Sequence, residues 1–205
     1  MIRSKLDHLM IEAPSAASAR AWAEAAGLQV RPGGSHPGRG TCNLLASLHG
    51  GIYLELLTPD ADQPPTANSL RISRLERPRL AAACLAHPDL DSLARDLRNA
   101  GAGVDGPAEH ARQRPDGLRL CWRLVFQQAP VPDAPMVFFI DWGDTPHPSA
   151  DGPPGGGLRA LWAEHGEPAA LSAFFGAVGL DLDVRRGASP AWRAELEAAG
   201  RRIIL

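Results

Sequence analysis

Three stretches of the chain repeat one pattern, and a repeat constrains the fold strongly because each copy must adopt the same supersecondary unit. Leu6 to Val30, Ala81 to Val104 and Leu158 to Val184 each read as an apolar strand, a stretch of helical period, a glycine and a second strand. Pro14 stands 13 residues before Gly27, and Pro88 stands 13 before Gly101. Leu90, Leu93 and Leu97 follow the N-cap residue Asp89 at helical spacing, and Leu171, Phe174, Phe175 and Val178 repeat that spacing in the third stretch. Gly27, Gly101 and Gly179 fall where a helix ends on a left-handed residue.

More strands complete each unit. Asn43 to Leu57 reads as a hairpin turning at Gly50-Gly51, and Trp192 to Leu205 fits the same template with Gly200 at its turn. Trp192, Ala194, Leu196 and Ala198 alternate with Arg193, Glu195 and Glu197, which favours a strand over a helix begun at Ser189-Pro190. Leu118 to Phe126 and Met136 to Trp142 supply the last strands of the middle unit. Thr58 to Pro78, polar with Pro64-Pro65, and Pro146 to Gly157, rich in Pro and Gly, read as linkers. The expected organisation is a first βαβββ module at 1–60, a linker at 61–79, a second module at 80–148, a Gly/Pro linker at 149–157 and a truncated βαββ-type unit at 158–205. The fold class is α+β.

A chain of 205 residues with 44% hydrophobic and 21% charged residues can bury a core of this size. Its net charge is −2, and its scattered basic residues, of which Lys5 is the only lysine, make no patch for nucleic acid or an anionic membrane. Cys42, Cys84 and Cys121 form no CxxC or zinc spacing, lie among apolar neighbours, and point to a reducing, cytoplasmic compartment. The N-terminus lacks a signal peptide's apolar region, and no apolar run reaches membrane-spanning length. Gly38-Arg39-Gly40 and Gly155-Gly156-Gly157 lack the context of a phosphate loop. The expected partner is a small-molecule substrate or ligand, with a homodimer as the protein assembly to consider.

Leu6-Asp7-His8-Leu9 on the opening strand and Tyr53-Leu54-Glu55-Leu56 on a later one resemble the vicinal-oxygen-chelate superfamily. His36-Pro37-Gly38-Arg39-Gly40-Thr41 with Asn43, then Arg114-Pro115-Asp116-Gly117, then Phe138-Phe139-Ile140-Asp141-Trp142 resemble its glyoxalase-like domain branch, over roughly residues 5–148. The resemblance implies tandem βαβββ modules forming a curved mixed sheet around a cleft. In many members a divalent metal binds there, which for this chain means Zn, Ni, Mn, Fe or Mg.

The family pattern places a His on the first strand and a Glu on the fourth strand of each module, and His8 and Glu55 match in the first. The second module has Ala82 in place of the His. There, Phe139-x-Asp141 mirrors Tyr53-x-Glu55, so Asp141 is the expected third metal ligand, or Ile140 takes the position if the register slips by one. The third unit has Ala160 and Ile204 at these places and is expected to be structural. A second histidine for a 2-His-1-carboxylate face would come from His36 or His147.

Each candidate also has a plainer reading. His8 could be a half-buried histidine beside Asp7, Glu55 a partner for an arginine, His36 part of a turn, and Trp142 and Trp122 core aromatics. In the functional reading Glu55 is a metal ligand or a general base, His36, Thr41 and Asn43 present donors to substrate, and Trp142 lines its pocket. His49, His87, His110 and His165 fall in turns or loops and are expected to be solvated. Two functions follow. One is a metal-dependent lyase, isomerase or dioxygenase using the ion as a Lewis acid on a small oxygenated metabolite. The other is a non-catalytic protein that sequesters a small molecule in the same cleft without metal.

Overall fold

On β1 (Lys5–Glu12), Leu9 and Ile11 are fully buried in the core while His8 and Met10 point to the opposite face. Helix α1 (Ala16–Ala25) starts where Ser15, in an extended conformation, accepts the backbone N–H of Ser18 on its side chain. It ends before Gly27, whose φ of +70° is left-handed and where a Cβ would lie 2.7 Å from that of Ala199. The computed structural model describes residues 4–114, 116–152 and 154–205. Met1–Arg3 before β1, Pro115 of the Arg114–Gly117 stretch and Pro153 of the second linker lie outside the described residues.

Strands β2 (Arg31–His36), β3 (Thr41–Ser47) and β4 (Tyr53–Pro59) follow as an antiparallel meander, and β4 returns parallel to β1. His36 is not part of a turn: the glycine-rich segment that ends at it is strand β2. Its glycines make room instead of turning the chain: a Cβ on Gly33 would sit 2.1 Å from Oδ1 of Asn43, which crosses over it from β3.

The first linker is also not featureless. It carries the short helix α2 (Ala67–Ser73), capped by Thr66 and Ser69 in a reciprocal box. Glu12, 4% exposed, accepts hydrogen bonds from Arg71 of α2 and from Arg79, and so pins α2 beside the end of β1. Seven residues are too few for helical periodicity to reveal.

The second module comprises β5 (Arg79–Ala86), α3 (Leu90–Asn99), β6 (Gly103–Gln113), β7 (Arg119–Gln128) and β8 (Met136–Asp141). Together the two modules form one eight-stranded sheet in the order β2-β3-β4-β1-β5-β8-β7-β6. The order is symmetric about the antiparallel β1–β5 seam, with β5–β8 parallel as β1–β4 is. The two modules are therefore related by a pseudo-two-fold axis at that seam. The sheet curls until its edges meet: the ideal Cβ of Gly34 on β2 falls 2.7 Å from the carbonyl of Gln113 on β6.

The third unit, β9 (Gly156–His165), α4 (Pro168–Ala177), β10 (Asp183–Arg186), β11 (Ala191–Ala198) and β12 (Arg201–Ile204), forms a second sheet in the order β10-β9-β11-β12. The C-terminal alternation is that of a strand, with Trp192, Ala194, Leu196 and Ala198 buried. The last strand, β12, pairs with β11 and not with β9, so this unit is not closed as the first two are. It shares their core, and Trp192 donates its Nε1–H to the carbonyl of Met136 at 2.7 Å. No helix of the described residues is long and apolar enough to cross a membrane.

The register of β8 has a direct test. Phe139 is fully buried in the core and Asp141 is not, so Phe139→Ala should cost about 3–5 kcal/mol and Asp141→Ala about 1 kcal/mol or less. Urea denaturation of the two variants measures this, and the reverse order would overturn the strand's orientation.

Candidate active site

The concave face of the eight-stranded sheet encloses a cavity of about 410 Å³. Its two walls differ because the modules carry different side chains at equivalent positions. On β1–β4, His8 stands beside Tyr53 and Met10 beside Glu55. On β5–β8, Ala82 stands beside Met136 and Cys84 beside Phe138. With His8 equivalent to Ala82, the residue equivalent to Glu55 is Phe138. At these two positions the second module thus brings neither imidazole nor carboxylate. It brings an apolar wall that includes Leu124, Phe126, Phe138 and Ile140, flanked by Trp122 and Trp142.

Asp141 is a correction to the sequence reading. Phe138, Ile140 and Trp142 line the cavity, and alternation turns Asp141 to an outer groove, where its carboxylate accepts the backbone N–H of Gly143 at 3.0 Å. The likeness of Phe139-x-Asp141 to Tyr53-x-Glu55 misled because it aligned β8 by residue type. The pairing of β8 with β5 sets the true alignment three residues earlier.

On the polar wall, Glu55 is the hub. Its Oε2 lies 3.4 Å from Nε2 of His8 and its Oε1 lies 3.7 Å from Nε2 of His36. Asn43 donates Nδ2–H to Oε1 at 2.7 Å and also lies 3.2 Å from Nε2 of His36. Thr41 Oγ1 meets Nδ1 of His36 at 3.0 Å. His36, Thr41 and Asn43 therefore line the cavity together with His8 and Glu55. No arginine lies within ion-pair distance of Glu55 among the described residues. Burial would raise its pKa, but the nearness and charge of His8, with His36 and the hydrogen bond from Asn43, outweigh this and hold it at about 2.

His8 is 3% exposed, stacks on Tyr53 at 4.5 Å, and its Nε2 is buried with no hydrogen bond made. Its Nδ1 is fixed by Asp7 Oδ1 at 2.7 Å. The other oxygen of Asp7 accepts from Trp142 Nε1 at 3.1 Å and meets His147 Nε2 at 3.0 Å. Burial works against the charge of Asp7, yet the bonds from His147 and His8 keep its carboxyl well below the usual range. Burial alone would depress His8, but its neighbours push it well above its ordinary value. Cys84, directly across the β1–β5 seam, is pushed by burial up to about 12 and is a neutral thiol at pH 7. The neighbours that favour a cationic His8 at neutral pH are therefore Asp7 and Glu55.

Ligand atoms of Asp7, His8 and Cys84 lie within 4.8 Å of one another. Both oxygens of Asp7 are taken by imidazole and indole groups, and Cys84 keeps its proton, so this trio acts as the support that orients His8. His147 likewise serves Asp7, leaving His36 as the second imidazole beside Glu55. Burial lowers the pKa of His36, with Glu55 opposing, which keeps it neutral, and its Nε2 lone pair faces the Nδ2 amide of Asn43.

Several residues at the site were not assigned a role from sequence. Tyr53, whose phenol burial keeps far from ionising, lies under His8. Arg112 lines the cavity with it, as do Arg71 and Asn68 of α2, and Asp7 holds His8 from behind. Only the adjacency of Asp7 and His8 was a usable signal. Two of the histidines expected to be solvated are buried instead: Nδ1 of His87 accepts the N–H of Asp89, and Nδ1 of His165 accepts that of Glu167. They support equivalent strand-to-helix turns before α3 and α4. Of the three free cysteines, only Cys84 is buried and Cys121 is exposed.

The family profile described as a glyoxalase-like domain matches residues 6–179. No functionally curated protein matches the chain. Among solved structures, a hypothetical protein from Staphylococcus aureus superposes with a TM-score of 0.70 at 16% identity, covering 98% of this chain and 84% of that one. A methylmalonyl-CoA epimerase from Mycobacterium tuberculosis gives 0.51 at 17% identity, covering 70% and 93%. A 4-hydroxymandelate synthase variant from Streptomyces coelicolor gives 0.55 at 14% identity, covering 100% and 63%. At these identities the likeness is one of fold.

Proposed function

Because the chain belongs to the glyoxalase-like domain family of the vicinal-oxygen-chelate superfamily, we propose that it is a metal-dependent enzyme of small oxygenated metabolites, an isomerase, lyase or dioxygenase. His8, His36 and Glu55 are the ligands of one divalent ion, of the Mn, Fe, Ni, Zn or Mg type. The observation that carries this reading is the buried Nε2 of His8, which makes no hydrogen bond and lies 3.4 Å from a carboxylate with no arginine partner. In the ion-free protein a proton on Nε2 meets that charge, and a divalent ion would replace the proton and take both groups as ligands. Two imidazoles and one carboxylate are a donor set that such ions accept. When bound, the ion supplies a Lewis acid for a substrate oxygen.

The chain's own residues do the rest. Asp7 holds a proton on Nδ1 of His8 and so directs Nε2 into the cavity. Thr41 does the same for His36, and Asn43 fixes the orientation of Glu55. Its neighbours His8, His36 and Asn43 keep Glu55 an ionised carboxylate, which suits the ligand role. Tyr53 stays a neutral phenol, and the apolar wall excludes water around the substrate's body. The free thiols fit a reducing, cytoplasmic setting.

A specific observation favours a second reading, a protein that sequesters a small molecule without chemistry. The second module offers Ala82 and Phe138 where the first has its ligands, so half of the cleft is built only to hold. Calorimetric titration of chelator-stripped protein with Mn²⁺, Fe²⁺, Ni²⁺ and Zn²⁺ separates the two. One ion per chain should bind, and His36→Ala should weaken it by about tenfold or more. If no ion binds the wild type, the sequestering role takes its place.

A further inference from the structure

Arg112, near the end of β6, is 4% exposed and lines the cavity, and its Nη1 is buried without a hydrogen-bond partner. A guanidinium does not shed its proton in a protein, so burial cannot be relieved by neutralising it. Its neighbours are otherwise engaged. Arg114 binds Asp151 at 2.6 Å and Asp116 at 2.7 Å, and Arg31 shares Asp151 at 3.5 Å. Glu55 attracts Arg112 through space but lies beyond ion-pair distance, occupied by His8, His36 and Asn43.

The position of Arg112 is built, not incidental. It sits where the curled sheet closes, with Nη1 3.2 Å from the ideal Cβ position of Gly34 on β2, so a side chain at Gly34 would crowd it. The result is a fixed cation facing a cavity that has catalytic-type ligands on one wall and aromatic rings on the other.

We propose that Arg112 is the receptor for a carboxylate on the substrate, which makes the ligand of this cavity an organic acid with an apolar body. This deepens the proposed function and rests on its cavity, but not on its metal. The acid group pairs with the free guanidinium fork, and the body lies along Phe126, Phe138 and Trp122. A single unpaired fork matches one planar carboxylate better than a phosphate, which gathers more donors.

The test measures binding by calorimetry in metal-free, chelator-treated protein, so that no ion can hold the acid. The probes are phenylacetate, its neutral counterpart phenylacetamide, and phenyl phosphate, with wild type, Arg112→Met and Arg112→Lys. Wild type should bind phenylacetate at least tenfold more tightly than phenylacetamide. Arg112→Met should lose that preference while keeping the amide's affinity, and Arg112→Lys should restore part of it. Ligand-free Arg112→Met should melt no lower than wild type, because it removes a buried charge that has no partner.

The idea is overturned if wild type shows no preference for the carboxylate, binding of neither probe included, or if Arg112→Met keeps the preference. It is overturned as to carboxylate if phenyl phosphate binds more tightly. A lower melting point for ligand-free Arg112→Met would make the residue structural and also overturn it. A carboxylate preference in a protein that binds no divalent ion would sink the metal reading alone. Metal binding that survives with no such preference would sink the Arg112 proposal alone.

Discussion

A saturating divalent ion should raise the melting temperature of the wild-type protein by roughly 5–11 °C, and Glu55→Gln should abolish the rise. The size follows from mass action. A ligand at about 100 times its dissociation constant stabilises by about 2.7 kcal/mol, and a domain of this length gains about 2–4 °C per kcal/mol. The substitution keeps the shape of the side chain and its reach to Asn43 but removes the charge that Glu55 holds at pH 7. The rise should also depend on pH. An ion must displace the proton on Nε2 of His8, whose pKa lies well above 6.5, so the gain shrinks as pH falls. Differential scanning fluorimetry at several pH values measures both effects. An equal rise in wild type and Glu55→Gln would place the ion elsewhere and end the assignment of Glu55.

Asp7→Asn should destabilise the ion-free protein by about 3 kcal/mol, since it removes one partner from a buried charge pair. The deficit has a direction in pH. Asp7 has a lowered pKa, so its contribution is present above its unfolded value of 3.8 and is lost only as pH falls through the folded one. His8 has a raised pKa, so its contribution is complete below its unfolded value of 6.5 and is lost as pH rises through the folded one. The gap between wild type and Asp7→Asn should therefore be widest between pH 4 and 6.5 and should narrow in alkali. Urea midpoints at pH 5 and pH 9 decide it. A deficit smaller at pH 5 than at pH 9 would contradict a cationic His8 held by Asp7.

The fold was legible because its signals are local and repeated. Pro14 to Gly27 and Pro88 to Gly101 mark strand, helix and turn with residues that act on their own backbone, and the strands follow by alternation. The site was legible in part. His8 and Glu55 occupy strand positions that a motif can identify, and His36, Thr41 and Asn43 sit close in sequence to the hairpin that presents them. What failed depends on pairing between distant strands. Whether Asp141 or Phe138 faces Glu55 is decided by the β5–β8 register, which a one-dimensional pattern does not carry. Strand β2 was hidden because its glycines suit a loop, and their real cause, the crossing side chain of Asn43, lies on another strand. Arg112 gave no signal, since a buried arginine and a solvated one read alike in a chain with scattered arginines.

The symmetry of the sheet about the β1–β5 seam means that this cleft has two halves with separate duties. One half carries every residue assigned to the ion, and the other carries the rings and branched chains that a ligand's body must fit. Such a division of labour is a route to evolvability. Exchanges at Phe126, Leu124 or Ile140 reshape what can enter without touching His8, His36 or Glu55, because those positions lie on strands across the seam. A sheet divided in this way can change what its apolar half admits while its polar half keeps its residues.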